Sequence, residues 1–280
     1  MIYVLYNPIS GNGEGVLAAE KIIGEEKAIH KLVDMTAISS YTELVSALKE
    51  EDELIICGGD GTLNRFINAV DSLDLNNRIF YSPTGTGNDF YTDITGEKSG
   101  EPIEITELIK NLPTVTVNGE KYKFINGVGY GIDGYCCEVG DIVRKKGKKA
   151  NYTAIAIKGL LFKFKPRNAT VTIDGVKKEY KKVWIAPTMF GRHYGGGMIP
   201  TPNQDRSAEP KKLSVMVFHG SSKLKTLMIF PSIFKGEHVA HTECVTVLTG
   251  NNITVEFDSP TSLQIDGETV LGVAEYTASV

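Results

Sequence analysis

The sequence predicts an α/β N-terminal domain with a mainly parallel sheet, followed by a mainly antiparallel β C-terminal domain. Two observations predict this. Over residues 1–112, short apolar runs rich in β-formers alternate with segments of helical period, the pattern of a parallel sheet covered by helices. Over residues 113–280 the texture changes to alternating strands punctuated by Asn-Gly and Asp-Gly turns. The last strand is left open to packing back on the first domain.

In order, Ile2–Tyr6 reads as a buried strand ending at Asn7-Pro8. Gly15–Ile23 is helical, with Val16, Ala19 and Ile23 spaced by three and four. Residues 29–35 are a second strand, 41–49 a helix with Leu44, Val45 and Leu48 on one side, and 53–57 a third strand. A helix over 63–70 and a strand over 78–82 complete the pattern. In the second half, 115–117 and 121–125 form a hairpin around Asn118-Gly119. Further strands are expected at 170–174, 183–187, 213–218, 244–248, 253–257 and 263–266, with helices over 150–164 and 223–234.

Bulk properties bound the function. The net charge of -4 argues against a nucleic-acid partner. The opening MIYVLYNP lacks a secretory pattern, and no run approaches the roughly 20 apolar residues of a spanning helix. Cys57, Cys136, Cys137 and Cys244 form no C-x-x-C pair, which suits reduced thiols in a cytoplasm. His30, His193, His219, His238 and His241 show no metal spacing.

The chemistry concentrates in loops at strand ends. Cys57-Gly58-Gly59-Asp60-Gly61-Thr62-Leu63-Asn64 joins a strand to a helix. Its glycines let a phosphate approach the amides, and the following helix N-terminus favours an anion. An Asp inside such a turn orders the loop, holds a metal beside the phosphate, or accepts a proton; the residues alone leave these open, together with an ordinary αβ loop capped by Asp. Pro83-Thr84-Gly85-Thr86-Gly87-Asn88-Asp89 follows the next strand and is expected on the same edge. Asn7-Pro8-Ile9-Ser10-Gly11-Asn12-Gly13 completes a third ligand-facing edge.

These segments, in this order, resemble the diacylglycerol kinase-like catalytic family, which includes sphingosine kinases and bacterial lipid kinases. The shared pattern is Asn-Pro-x-Ser-Gly at 7–11, Gly-Gly-Asp-Gly-Thr at 58–62 and Gly-Thr-x-Asn-Asp at 85–89. The resemblance continues through Phe124-Ile125-Asn126-Gly127-Val128-Gly129, Tyr194-Gly195-Gly196-Gly197-Met198 and Asp266-Gly267-Glu268, so it spans nearly the whole chain. It departs from the family at Asn64-Arg65, Tyr91-Thr92 and Glu209-Pro210-Lys211.

The resemblance implies an active site in a cleft between the two domains, with the Gly-Gly-Asp-Gly-Thr segment as nucleotide loop. It implies that Asn7, Pro8, Ser10, Gly11, Gly58, Gly59, Asp60, Gly61, Thr62 and Asn64 bind ATP. Thr36, Gly85, Thr86, Asn88 and Asp89 join them, and Asp60 and Asp89 organise Mg²⁺. Asp60, Asp266 and Glu268 are the implied catalytic acids, with either of the last two as base; Asp266-Gly267-Glu268 also suits a plain type I′ turn. The implied reaction is transfer of the ATP γ-phosphoryl group to a lipid hydroxyl, diacylglycerol by default. The implied partner is a lipid at a membrane surface, with no protein partner and a homodimer left open.

Arg144-Lys145-Lys146-Gly147-Lys148-Lys149, followed by Ile155, Ile157, Leu160, Leu161, Phe162 and Phe164 among Lys163 and Lys165, suits an anionic bilayer. A core helix with a solvated basic loop accounts for it equally. Other activities fit the loops less well. A dinucleotide-binding dehydrogenase, suggested by Gly11-x-Gly13-x-Gly15 and Asp34, leaves both later loops unexplained. An NAD kinase explains the loop at 58–62 but not its companions, and a non-catalytic nucleotide sensor of the same fold is the remaining alternative.

Overall fold

β1 (Ile2–Tyr6) sits near the middle of a five-stranded sheet because Val4 and Leu5 are apolar on both faces and fully buried. The computed structural model describes residues 1–8, 10–13, 15–24, 29–73, 75–85 and 87–280, and Ile9 and Thr86 lie outside them. The chain divides into two compact units, Met1–Leu112 and Pro113–Val280.

In the first unit β1 is followed by α1 (Gly15–Ile23), β2 (His30–Asp34), α2 (Tyr41–Ser46) and β3 (Glu53–Gly58). α3 (Asp60–Ala69), β4 (Arg78–Pro83), α4 (Asp89–Thr95) and β5 (Ile103–Glu104) complete it. The order is β2-β1-β3-β4-β5, parallel throughout except for β5. β3 is an almost uninterrupted apolar run, with Leu54, Ile56 and Cys57 fully buried. In this doubly wound order the chain reverses its direction of travel between β1 and β3, and ligands sit outside the carboxyl ends of the strands at that switch point.

Three elements differ from expectation. α2 stops at Ser46 where a helix to residue 49 is expected, and the Asp52 carboxylate accepts from Lys49 N (2.9 Å) to fix a turn instead. α3 starts at Asp60, not Leu63. α4 has no counterpart in the sequence pattern: Asn88 turns left-handed (φ 51°) and the helix is capped from a distant loop, described below.

The second unit contains β6 (Thr114–Val117), β7 (Glu120–Lys123), β8 (Gly127–Tyr130), α5 (Ile132–Lys145), α6 (Tyr152–Lys158), β9 (Arg167–Ile173) and β10 (Val176–Val183). β11 (Thr188–Met189), β12 (Leu213–Phe218), α7 (Lys223–Ile229), β13 (Val245–Gly250), β14 (Asn252–Ile265) and β15 (Glu268–Ser279) follow. Its ten strands pair antiparallel, with β14 central: it bonds to β8, β9 and β15. The strands expected at 253–257 and 263–266 are one continuous strand, and β15, which the sequence does not announce, lies beside it. The stretch expected as a strand over 183–187 makes only isolated bridges at Ile185 beyond the end of β10.

The helices differ too. α5 escapes the periodicity because its apolar stripe is narrow and interrupted by Gly134 and Gly140. Gly134 is required there, since a Cβ would meet the Ser262 carbonyl oxygen of β14 at 1.9 Å. The helix expected over 150–164 is α6 running into a π-turn over Gly159–Lys163. That over 223–234 changes to a 3₁₀ turn at Phe230–Lys235, where Pro231 has no N–H to continue α7.

Candidate active site

In the first unit, the loops after β1, β3 and β4 are tied to one another at the carboxyl edge of the sheet. Asn7 Nδ2 donates to Thr62 Oγ1 (3.0 Å), joining the first loop to the second. Thr84 Oγ1 donates to Ser10 Oγ (3.2 Å), joining the third to the first. Backbone bonds complete the junction: Asn7 N donates to Cys57 O (3.2 Å), Ser10 N to Asn7 O (3.1 Å) and Thr84 N to Gly58 O (2.9 Å). The buried Tyr81 hydroxyl also donates to Gly58 O (3.1 Å).

The glycines permit this closeness. A Cβ on Gly85 would stand 2.7 Å from Gly59 Cα and 2.8 Å from Asn88 Oδ1, so the second and third loops touch backbone to backbone. A Cβ on Gly15 would meet Asn7 O at 2.0 Å, which seats the start of α1 against the first loop.

Asp60 is the pivot. It occupies the first turn of α3, yet its carboxylate reaches across to cap α4, with Oδ2 accepting from Asp89 N and Oδ1 from Phe90 N, both at 2.9 Å. Of the roles left open by the residue pattern, ordering the loops is thus one this carboxylate performs. Asn88 and Asp89 are buried beside it; Asn88 Nδ2 donates to Lys98 O (2.8 Å), while Asn88 Oδ1 has no partner among the described residues. Burial, and after it the carboxylates of Asp60 and Asp89, push the Tyr81 hydroxyl well up, so it stays protonated as a donor. Burial also pushes the Cys57 thiol up to about 12, leaving it unreactive.

The other first-unit candidates fall as follows. Pro8 and Gly11 lie in the turns between β1 and α1, and Gly61 in the first turn of α3. Asn64 is buried on α3, where its carbonyl oxygen accepts from Asn68 Nδ2 (3.0 Å). Thr36 is exposed beyond β2, its hydroxyl held by Asp34 Oδ1 (2.7 Å). Thr86 lies outside the described residues.

In the second unit, Asp266 and Gly267 (φ 46° and 94°) form the two-residue turn between β14 and β15, with Ile265 paired to Glu268. The two candidate acids therefore have different surroundings. Asp266 is buried and accepts three backbone N–H bonds, from Ile125 (2.6 Å), Asn126 (2.9 Å) and Gly127 (3.0 Å). Glu268 is exposed.

The segment held by Asp266 is gripped from its other side by Arg206, whose guanidinium donates to Ile125 O and Asn126 Oδ1 (both 3.1 Å). Arg206 is itself buried, with Phe190 under its guanidinium. A lone Arg in a loop carries no sequence signal, so this residue is not among those the sequence singles out.

A second chain of bonds fixes the same turn. Gln264 Oε1 accepts from Gly267 N (2.5 Å), and its Nε2 donates to Asp133 Oδ2 (2.9 Å) at the start of α5. Burial raises the Asp133 carboxyl to about 6, opposed by the Gln264 amide and the neighbouring Tyr194 hydroxyl. Two residues back, Ser262 donates to Glu138 on the same helix.

Among the described residues no group of three or more His, Cys, Asp and Glu side chains is placed to hold a metal ion. The carboxylates of Asp60 and Asp89 and the Asn88 oxygen are hard oxygen donors of the kind that Mg²⁺ takes alongside phosphate oxygens.

Comparison with known proteins places these features. Residues 1–118 match the model of the diacylglycerol kinase catalytic domain. Residues 126–280 match that of the YegS C-terminal NAD kinase beta sandwich-like domain. A diacylglycerol kinase of Mycobacterium tuberculosis is 27% identical over 274 residues, covering 92% of this chain and 85% of that protein. A diacylglycerol kinase of Bacillus subtilis is 25% identical over 285 residues, covering 95% and 88%. The crystal structure of a diacylglycerol kinase from Bacillus anthracis superposes with a TM-score of 0.63 at 18% identity, over 99% of this chain and 93% of that one, a likeness of fold.

Proposed function

This chain belongs to the diacylglycerol kinase catalytic-domain family, and on that premise we propose that it transfers the γ-phosphoryl group of ATP to a lipid hydroxyl, diacylglycerol being the default acceptor. The observation that carries the reading is the junction of three loops at the switch point of a parallel sheet, bound together by Asn7–Thr62, Ser10–Thr84 and Asp60–α4 contacts. Phosphoryl transfer asks for little covalent help from a protein; it asks for positioned donors, charge neutralisation and one proton acceptor.

Each part has a candidate. The first amides of α3 lack intrahelical acceptors and begin at the glycine-rich turn, the arrangement that suits a phosphate. Asp60 and Asp89 would hold Mg²⁺, which when bound neutralises phosphate charge. Asp60 thereby serves twice, since the same carboxylate orders α4. Asn7, Ser10, Gly11 and Thr62 position the nucleotide from the first two loops, and Thr36, Gly85 and Asn88 flank it; Thr86, outside the described residues, is a nucleotide ligand on the family resemblance alone.

Glu268 takes the proton of the lipid hydroxyl as its oxygen bonds to the γ-phosphorus and the bond to the β–γ bridging oxygen breaks, releasing ADP. Asp266 is the less suited base, because both its oxygens already accept backbone N–H bonds. Its part is to hold the turn that presents Glu268. The protein would act in the cytoplasm, peripherally at the membrane; no helix among the described residues is long and apolar enough to cross one.

The test is transfer from radiolabelled ATP with Mg²⁺ to a panel of lipid alcohols in mixed micelles, with NAD as a control acceptor. A labelled lipid is the expected product. Labelled NAD would favour the NAD kinase reading, and tight ATP binding without transfer to any acceptor would favour a nucleotide sensor.

A further inference from the structure

Two segments of the second unit, far apart in sequence, are unlike the rest of the chain in charge. Residues 142–165 and 223–235 together hold eleven of the 30 Lys and Arg and none of the 34 Asp and Glu. In a chain of net charge -4, acids spread evenly would have placed several there.

The fold brings the segments together. The π-turn after α6 packs against α7, and Lys223 Nζ donates to Leu161 O (3.2 Å). Their inner sides share one core, in which Leu160, Phe164, Ile229 and Ile233 are buried with Trp184 and Phe218. Part of the apolar run read as a bilayer contact is therefore interior, and Leu160 and Phe164 leave that role.

The outer side remains apolar. Phe162 is 74% exposed, Leu224 68% and Met228 66%, with Ile157 and Leu161 beside Phe162 in the same stretch. Leu224 and Met228 are four residues apart on α7 and so stand on one face. Arg144 is paired with Asp141 and Lys225 with Glu243. Lys145, Lys146, Lys148, Lys149, Lys158, Lys163, Lys165, Lys223 and Lys235 have no carboxylate partner among the described residues.

We propose that this face, formed by the outer sides of the π-turn and α7 and carrying Lys158, Lys163, Lys165 and Lys223, docks on an anionic phospholipid bilayer. Large exposed aromatic and aliphatic side chains flanked by ammonium groups without carboxylate partners match the acyl boundary and the phosphate layer of such a surface respectively. A protein partner with an acidic rim would match the charge, but the lipid acceptor supplies an independent reason for the bilayer. To that extent the proposal rests on the lipid-kinase reading.

The test is co-sedimentation of the full chain with phosphatidylcholine vesicles, with and without an equal part of phosphatidylglycerol. Transfer to a water-soluble short-chain acylglycerol and the sedimentation velocity of the free protein are measured alongside. Binding is expected only with phosphatidylglycerol and is expected to weaken as salt is raised. Lys158→Ala with Lys163→Ala is expected to weaken it about 25-fold, from roughly fivefold per Lys at an anionic surface. Phe162→Ser is expected to cost about tenfold or more. All of these side chains are at the surface, so folding and transfer to the short-chain acceptor should persist.

Wild-type protein that ignores anionic vesicles, or variants that bind as wild type, would overturn the proposal. So would a dimer that Phe162→Ser and Leu224→Ser dissociate while vesicle binding persists, which would assign the face to a second copy. Vesicle binding that follows the predicted variants without transfer to any alcohol would sink the kinase reading and leave the docking face standing.

Discussion

Asp266→Asn separates the two acids of the β14–β15 turn more cleanly than any other change. Asn is at home in a type I′ turn and tolerates the left-handed backbone that Asp266 adopts (φ 46°), so the substitution perturbs only the carboxylate. The best placement of the new amide keeps one oxygen for Asn126 N and Gly127 N, and turns its NH₂ toward Ile125 N. One hydrogen bond to a charged acceptor is lost, about 1.5–3 kcal/mol, and a buried donor is left unsatisfied, about 1–3 kcal/mol more. A total near 3–5 kcal/mol corresponds to a fall in Tm of about 6–20 °C for a domain of this size. Glu268→Gln, at an exposed site, should leave Tm within about 2 °C while slowing transfer by ~10²-fold or more. Differential scanning calorimetry and initial-rate transfer assays on both variants decide the matter. Asp266→Asn with an unchanged Tm would refute the scaffold argument, and Glu268→Gln with wild-type kcat would remove it as the base.

Asp60→Ala removes the cap of α4 as well as a carboxylate proposed for Mg²⁺; transfer should become undetectable while stability falls by only ~1–2 kcal/mol, read by urea unfolding. Near-normal activity would sink its assigned role. Gly85→Ala pushes a methyl group against Gly59 Cα and should cost about 1–3 kcal/mol and raise the KM for ATP; an unchanged KM would show that the two loops have room to part. Asp133 gives a pH signature. Its folded pKa, about 6, lies above the ordinary value of 3.8, so its contribution to stability is complete below about pH 4 and is lost as pH rises through 6. The loss approaches ~3 kcal/mol, because each tenfold change in proton affinity is worth about 1.36 kcal/mol. Asp133→Asn should abolish that loss, stabilising the protein at pH 8 and not at pH 4. Parallel Tm curves for the two proteins across that range would refute the assignment.

What the sequence discloses is what depends on local pattern. β1, β3 and β4 are short apolar runs closed by Pro or Gly, and their loops carry the glycines that mark close backbone approach. The hairpin at Asn118-Gly119 and the tight turn at Asp174-Gly175 follow from turn chemistry alone, whereas β10 beyond the second turn, mostly exposed and rich in Lys, carries no strand signal. Features settled by distant partners stay hidden. α4 is a seven-residue helix whose cap comes from Asp60, 29 residues earlier, so nothing within Asp89–Thr95 announces it. α5 carries a buried Asp133 and a half-buried Glu138 whose partners, Gln264 and Ser262, lie on β14, and β15, exposed along much of one face, has no apolar run. Arg206 is legible only once Ile125 and Asn126 are seen beside it.

α5 has a mechanical consequence. Its 14 residues form a rod of about 21 Å. At one end Asp133 is bonded through Gln264 to the turn bearing Glu268, and at the other the rod runs into Arg144 and Lys145. The π-turn at Gly159 lies against Ile132 and Tyr135 at the Asp133 end of the rod, and Tyr152 lies against Gly140 farther along, so α6 runs back beside α5. The turn bearing Glu268 and the apolar π-turn are therefore braced by the same end of one helix, and a load taken up at the π-turn reaches that turn without crossing the length of the rod.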